Sequence, residues 1–216
     1  MQWQADLGGP RSSTAVQGAS RVQVVLNLAI NARDAMPDGG ELRVDGQPRR
    51  FASPREARGA GIATVHQELL LFPELSVAEN IFLGHAPRGA LGRLDWKRTR
   101  ERARALLDSL ECLELDVDAK VGTLSVANRQ RVEIARALSQ SPRVLIMDEP
   151  TAALAEADVQ RLLDVVRSLR ARGVGIVYVS HRMPEIFALA DRVTVLRDGK
   201  HVATHPIAEV NHDKLV

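Results

Sequence analysis

The stretch Arg143-Val144-Leu145-Ile146-Met147-Asp148-Glu149-Pro150-Thr151 decides the fold of this chain. Its almost wholly apolar first half, residues 143–147, predicts a strand buried on both faces, as in a parallel sheet. Asp148 and Glu149 follow this strand, so we expect them at the carboxyl edge of the sheet, where parallel sheets bind ligands. Asp148 can hold Mg²⁺, usually through water, and Glu149 can polarise an attacking water. An acidic pair at a strand end without a ligand is the alternative.

The segments around this stretch repeat the alternation of strand and helix. Strands are predicted at Gly61–His66, Val174–Val179 and Arg192–Leu196, and helices at 97–113, 129–140, 156–172 and near 183–190. That order predicts an α/β fold with helices packed on a parallel sheet.

The first fifty residues are organised differently. Residues 1–20 are rich in Gly, Ser, Gln and Ala and predict a loose leader, whereas Arg21–Met36 has helical apolar spacing. Glu41–Val44, the pair Asp45-Gly46 and a second extended piece towards Phe51 predict a hairpin.

Three further polar residues stand at the ends of predicted elements. Ser125 precedes the helix that begins near Arg129 and is placed as its N-cap, which makes a natural anion site. His181 follows the strand 174–179, and Gln67 follows the strand 61–66, where its carbonyl oxygen could serve a metal. A plain helix cap and a structural histidine are the alternatives for the first two.

Composition excludes several classes of function. With 29 Lys+Arg against 27 Asp+Glu, the net charge of +2 gives no strong pull towards nucleic acid. The single cysteine, Cys112, rules out an intrachain disulfide and fits a reducing cytoplasm. No apolar run approaches the roughly 18 residues of a membrane span, so a membrane role needs a partner.

Taken in order, Gln67, Ser125, Asp148-Glu149 and His181 resemble the Q-loop, signature, Walker B and H-loop series of ABC-transporter ATPases. The resemblance implies a P-loop NTPase-like parallel sheet with flanking helices, a β-hairpin region and a helical subdomain at about 68–141. It also implies that Asp148 and Gln67 serve Mg²⁺, that Glu149 is the general base and that His181 contacts the γ-phosphate of ATP. Ser125 would act in trans, on ATP held by a second ATPase domain.

Other stretches resemble the ribose/xylose/galactose-type import ATPases: Phe51–Ala57, Leu75–Gly84 and Arg192–Gly199. The wording Leu124-Ser125-Val126-Ala127 is similar to the signature in the first of the two ATPase halves of those proteins. The resemblance implies ATP and Mg²⁺ as cofactors and a transmembrane permease as partner, with a periplasmic sugar-binding protein engaged indirectly. It places the protein in the cytoplasm, peripheral on the inner face of the cell membrane.

One motif that ABC-transporter ATPases require is missing from this sequence. The string G-x-x-x-x-G-K-[ST], whose backbone N–H groups and lysine hold phosphates, does not occur, and Val24-Val25 stand where Lys-Ser/Thr is expected. Residues 22–40 instead resemble the N-box of sensor histidine kinases, in which Asn27 and Asn31 would hold Mg²⁺–ATP. The later glycine-rich boxes of those kinases are absent, which favours an amphipathic helix in the place of the P-loop helix.

The sequence therefore predicts a leader with an N-box-like helix at 1–38 and a truncated ABC ATPase domain at 39–216, incomplete at its N-terminus. A recombined gene or a sequence-assembly artefact would each produce such a join. The resemblance implies an ATP-hydrolysing, energy-coupling subunit of a carbohydrate importer, with its activity impaired by loss of the P-loop. The alternative is a catalytically inactive fragment or chimera that keeps only a partner-docking role, so enzyme status stays open.

Overall fold

The computed structural model describes residues 4–6, 13–17, 41–44, 47–197 and 200–210. Its strands are β1 (Gln4–Asp6), β2 (Ser13–Gln17), β3 (Glu41–Val44), β4 (Gln47–Arg49), β5 (Ile62–Val65), β6 (Val144–Asp148), β7 (Gly175–Val179), β8 (Arg192–Arg197) and β9 (Lys200–Pro206). Its helices are α1 (Pro54–Gly59), α2 (Val77–Ile81), α3 (Trp96–Ser109), α4 (Val126–Leu138), α5 (Glu156–Ala171) and α6 (Met183–Leu189).

These elements divide into two compact units. Of the described residues, the first unit takes those up to Gln67, Pro142–Ala152 and those from Val159 onwards. The second takes Glu68–Ser141 and Ala153–Asp158. The second unit covers the segment for which the sequence predicts a helical subdomain.

A six-stranded sheet of order β5-β6-β7-β2-β8-β9 forms the first unit's centre. The strands run parallel except for β9, which pairs antiparallel with β8. All five residues of β6 are buried, as expected of a strand covered on both faces. The predicted α/β fold with a parallel sheet is confirmed.

Strand β2 differs from the loose leader expected over residues 1–20. Residues Ser13–Gln17 pair in parallel with β7 on one side and with β8 on the other. The segment is too short to show an apolar period, and its extended conformation is fixed by pairing with two neighbouring strands. The helix predicted at 21–36, with Val24-Val25, Asn27 and Asn31, lies outside the described residues.

The hairpin expected near residues 41–51 is present as an antiparallel pair of strands. Strand β3 pairs antiparallel with β4 and parallel with β1, which gives a separate three-stranded sheet. The predicted turn residues Asp45-Gly46 lie outside the described residues.

Caps set the ends of the helices in the second unit. Helix α3 begins at Trp96 because the Asp95 carboxylate accepts the N–H of Arg98, and it stops at Ser109, short of the predicted 113. Shortly beyond that end, Glu111 has a left-handed φ of 56°. Helix α4 begins three residues before the predicted Arg129 because Ser125 caps it. No helix in the described part of the chain is long and apolar enough to cross a membrane.

Candidate functional site

Asp148 lies at the carboxyl end of β6 with one oxygen unsatisfied. The residue is 2% exposed, and its buried Oδ2 has no hydrogen-bond partner among the described residues. Burial, and after it the neighbouring Glu149 carboxylate, raise the pKa of Asp148 to about 6. A cation beside Oδ2 would satisfy the orphaned oxygen and offset both effects, so this carboxylate fits Mg²⁺, which prefers oxygen ligands.

Glu149 turns away from the strand in a strained backbone conformation. Its φ is 41°, which is uncommon for a residue with a side chain, and its N–H donates to the carbonyl of Val179 over 2.9 Å. The Glu149 Oε1 atom lies 3.0 Å from Nδ1 of His181. The side chain of Glu149 is 25% exposed and that of His181 is 63% exposed, so a water or a ligand can reach both.

Gln67 lies at the same edge of the sheet. Strand β5 pairs with β6 in the register Val65 to Met147, and Gln67 follows Val65 by two residues, as Glu149 follows Met147. The Gln67 side chain is exposed. The first unit therefore brings Gln67, Asp148, Glu149 and His181 to one edge, although only Glu149 and His181 are in direct contact.

Ser125 belongs to the second unit, where it is the predicted N-cap. Its Oγ accepts the N–H of Asn128 over 3.2 Å, and the residue is exposed at the start of α4. The hydroxyl therefore has a local structural function in helix capping, and a role towards ATP stays a prediction.

The predicted magnesium site has few protein ligands. Within residues 47–197 and the other described ranges, no group of three or more His, Cys, Asp and Glu side chains is arranged to hold a metal. Mg²⁺ commonly keeps several waters and takes one or two carboxylates together with substrate phosphates. A site built on Asp148 with the Gln67 amide is of that kind, and it stays a prediction.

The structure also contains a buried polar cluster that sequence reasoning missed. The Glu185 carboxylate on α6 is 3% exposed and accepts hydrogen bonds from the hydroxyls of Thr151, Tyr178 and Ser180. One signal could have found it: Glu185 stands among Met183, Ile186 and Leu189 on the buried face of its helix. An acidic side chain on such a face needs partners.

Comparison with known proteins places the chain within one family. The family described as ABC transporter matches residues 26–152, more than half of the chain. The ribose import ATP-binding protein RbsA 2 of Rubrobacter xylanophilus is 54% identical over 83% of this chain and 35% of its own length. RbsA 1 of Streptomyces coelicolor is 49% identical over 92% of this chain and 39% of its own length.

A third relative extends further along the chain. The putative ribose/galactose/methyl galactoside import ATP-binding protein of Hahella chejuensis is 46% identical over 96% of this chain and 40% of its own length. The chain thus spans well under half the length of these three relatives.

Two solved structures have the same fold. A nucleotide-free ATP-binding cassette from an ABC transporter superposes with a TM-score of 0.75 over 93% of this chain and 82% of its own, at 22% identity. An ATP-binding cassette of an ABC transporter in its ADP conformation gives 0.70 over 91% and 80%, at 23% identity.

Proposed function

Because the chain belongs to the ABC transporter family, we propose that it is the ATP-binding, energy-coupling part of a carbohydrate importer. The observation that carries the proposal is the shared sheet edge, where an orphaned buried carboxylate, Asp148, stands beside the Glu149–His181 pair. The names of the relatives, which are ribose and galactose import proteins, support a sugar as the cargo.

Each residue of the edge has a proposed role. Bound Mg²⁺–ATP would supply the phosphoryl group and a metal that neutralises its charge. Asp148 and Gln67 would hold the metal, directly or through water. Glu149 would accept a proton from the attacking water, and His181, which contacts Glu149, would donate to the γ-phosphate and keep the Glu149 carboxylate in place.

Loss of the phosphate-binding loop would impair this activity. Strand β2 ends at Gln17, and the next eight residues read Gly-Ala-Ser-Arg-Val-Gln-Val-Val, without the lysine that a P-loop places on the β- and γ-phosphates. We therefore expect weak or no ATP hydrolysis by the chain as it stands. The family match begins at residue 26, inside the stretch that resembles a kinase N-box, which favours an ABC origin over a kinase element there.

A graft of the missing loop tests the proposal. The substitutions Gln23→Gly, Val24→Lys and Val25→Thr give the string G-A-S-R-V-G-K-T after β2. We expect the purified chain to release little phosphate from Mg²⁺–ATP and the grafted chain to bind ATP and hydrolyse it. Turnover by the ungrafted chain that disappears in Glu149→Gln would contradict the impairment, and a folded graft that binds no ATP would contradict the nucleotide site.

The second candidate function is a docking fragment without turnover, and a feature of the second unit favours it. Leu70 and Phe72 each expose 52% of their surface, although the backbone beneath them is fixed. Arg136 donates to the Leu70 carbonyl over 2.6 Å, and the buried Asn80 amide bonds to both the N–H and the carbonyl of Phe72. Apolar side chains on a fixed backbone suit a protein partner.

The partner implied by the family is a transmembrane permease, with a second ATPase domain and, indirectly, a periplasmic sugar-binding protein. Such partners would hold this chain at the inner face of the cell membrane, in the cytoplasm. On coexpression with a ribose-importer permease, both candidate functions predict recovery of the chain in the membrane fraction and its loss on Phe72→Asp. Turnover separates them, because a docking fragment would hydrolyse no ATP even with the P-loop graft.

A further inference from the structure

One buried carboxylate is bonded to both sides of the Glu149–His181 pair. The Glu185 side chain, 3% exposed, accepts the Thr151 hydroxyl at 2.8 Å on Oε1 and the Ser180 hydroxyl at 3.0 Å on Oε2. Thr151 follows Glu149 by two residues, and Ser180 immediately precedes His181. The segment that presents Glu149 and the segment that presents His181 therefore meet at the same two oxygen atoms.

The residue on the other side of His181 is held as well. The Arg182 guanidinium Nη1 lies 3.0 Å from Oε1 of Glu185, and the Arg182 N–H donates to the Ser180 hydroxyl over 3.0 Å. Both neighbours of His181 are thus tied to Glu185, whereas the His181 imidazole is 63% exposed and points to Glu149. Such an arrangement restricts the backbone of His181 and leaves its ring available.

The surroundings of the Glu185 carboxylate consist of hydrogen-bond donors. Besides the Thr151 and Ser180 hydroxyls, the Tyr178 phenol donates to Oε2 over 2.9 Å, and the Arg182 guanidinium supplies the opposite charge. Burial, and after it the Glu185 charge, raise the pKa of Tyr178, so this phenol keeps its proton and remains a donor. Since three hydroxyls and a guanidinium all donate, an amide in place of the carboxylate would turn its NH₂ towards donors.

We propose that Glu185 is a positioning residue that sets the contact between Glu149 and His181 by tethering Thr151 on one side and Ser180 with Arg182 on the other. The inference rests on the proposed function, because the pair matters only if it acts at a nucleotide. A network that merely stabilises the fold is the alternative. The two roles predict different results in one measurement. If Glu185 positions the pair, its substitution changes the environment of the His181 ring while the fold stays intact.

The experiment observes that ring directly and needs no nucleotide. The full chain is labelled with ¹⁵N, and the imidazole nitrogens are recorded at one fixed pH, with the His181 signals identified by their loss in His181→Gln. Glu149→Gln serves as the reference for a contact that has lost the carboxylate. Glu185→Gln alters the centre of the tether, and Thr151→Val removes its link to the Glu149 segment. Asp164→Asn is the matched control, because Asp164 is an exposed carboxylate whose described ion pair is with Arg167.

We expect the His181 Nδ1 signal to shift in Glu149→Gln, and to shift in the same direction in Glu185→Gln and Thr151→Val, with Asp164→Asn unchanged and circular dichroism unchanged throughout. Unshifted His181 signals in a folded Glu185→Gln chain would overturn the proposal, as would unfolding of both Glu185→Gln and Thr151→Val. A grafted chain that binds no ATP would defeat the proposed function alone and leave this result intact.

Discussion

The Nδ1 atom of His181 lies 3.0 Å from Oε1 of Glu149, across the carboxyl ends of the adjacent strands β7 and β6. The contact joins the His181 imidazole, which can donate or accept a proton, to the Glu149 carboxylate that we propose as the general base. Because a quarter of the Glu149 side chain is exposed, an attacking water can approach the carboxylate without displacing the histidine. The pair is therefore suited to act together on one reacting group.

This pair gives the first prediction. In the chain that carries the P-loop graft, Glu149→Gln lowers kcat by about 10²- to 10⁴-fold, the range typical of a lost general base, while ATP still binds. Phosphate release and nucleotide binding are measured on the same samples. Asp164→Asn, a carboxyl-to-amide change at an exposed site, leaves both unchanged. A rise in KM at constant kcat would show that Glu149 binds substrate instead of activating water.

The second prediction concerns pH and stability. The pKa of Asp148 is about 6 in the folded chain, against an ordinary value of 3.8. Between those values the folded chain holds a proton that the unfolded chain has lost, so the free energy of unfolding decreases as pH rises through this window. The loss is complete above about pH 6 and amounts to about 3 kcal/mol, given about 1.4 kcal/mol per unit of pKa.

Asp148→Asn removes the free-energy cost of burying an ionised carboxylate at this position. Urea unfolding without added Mg²⁺ should show the variant gaining stability over the parent chain as pH rises from 4 to 7. Asp164→Asn should follow the parent chain at every pH, because Asp164 is 69% exposed. Equal slopes for Asp148→Asn and the parent would mean that Asp148 titrates normally in the folded chain.

Magnesium provides the third prediction, because it competes with the proton for Asp148. Added MgCl₂ should stabilise the chain at pH 7.5 and have little effect at pH 5, where Asp148 is protonated. A concentration equal to the dissociation constant adds about 0.4 kcal/mol to the free energy of unfolding. Thermal unfolding at matched ionic strength measures the shift. The same gain in Asp148→Asn would place the bound magnesium elsewhere.

The sequence predicts the parallel sheet and one edge of the site for a physical reason. Strand β6 is apolar up to Met147 because it is buried on both faces. The polar residues at or just beyond the ends of β5, β6 and β7 lie at the same edge because parallel strands end together. Gln67, Asp148, Glu149 and His181 therefore stand where topology requires. Ser125 was also predictable as a cap, since serine before a helix accepts a free backbone N–H.

Other features are not predictable because they depend on pairing in space. Strand β2 is only five residues long and is fixed by pairing with β7 and β8. The bond from Thr151 to Glu185 joins residues 34 positions apart, and the bond from Tyr178 joins a strand to the helix that follows it. The period of a single element expresses neither bond. A sequence pattern gives the direction of the side chains along one helix or strand. It does not identify the residue on another element that each side chain contacts.

The fourth prediction tests a second orphaned carboxylate, in α4. Glu133 is 4% exposed, and its Oε2 has no hydrogen-bond partner among the described residues and lies 3.9 Å from the Arg136 guanidinium. Burial raises the pKa of Glu133, and Arg136 offsets this only in part. Glu133→Met keeps the volume and the helix propensity, so we expect the free energy of unfolding at pH 7 to rise by about 1 kcal/mol.

Whether the free energy of unfolding rises in Glu133→Met depends on Arg136. Its guanidinium is 26% exposed and still donates to the Leu70 carbonyl, so removing Glu133 does not leave a buried charge without a partner. Because the folded pKa of Glu133 is raised, the advantage of methionine should shrink as pH falls and Glu133 takes up a proton. Urea unfolding at several pH values measures this, with Glu74→Gln, 84% exposed, as a control that changes stability by less than about 0.5 kcal/mol. A destabilised Glu133→Met chain would mean that the Glu133–Arg136 contact contributes more than its desolvation costs.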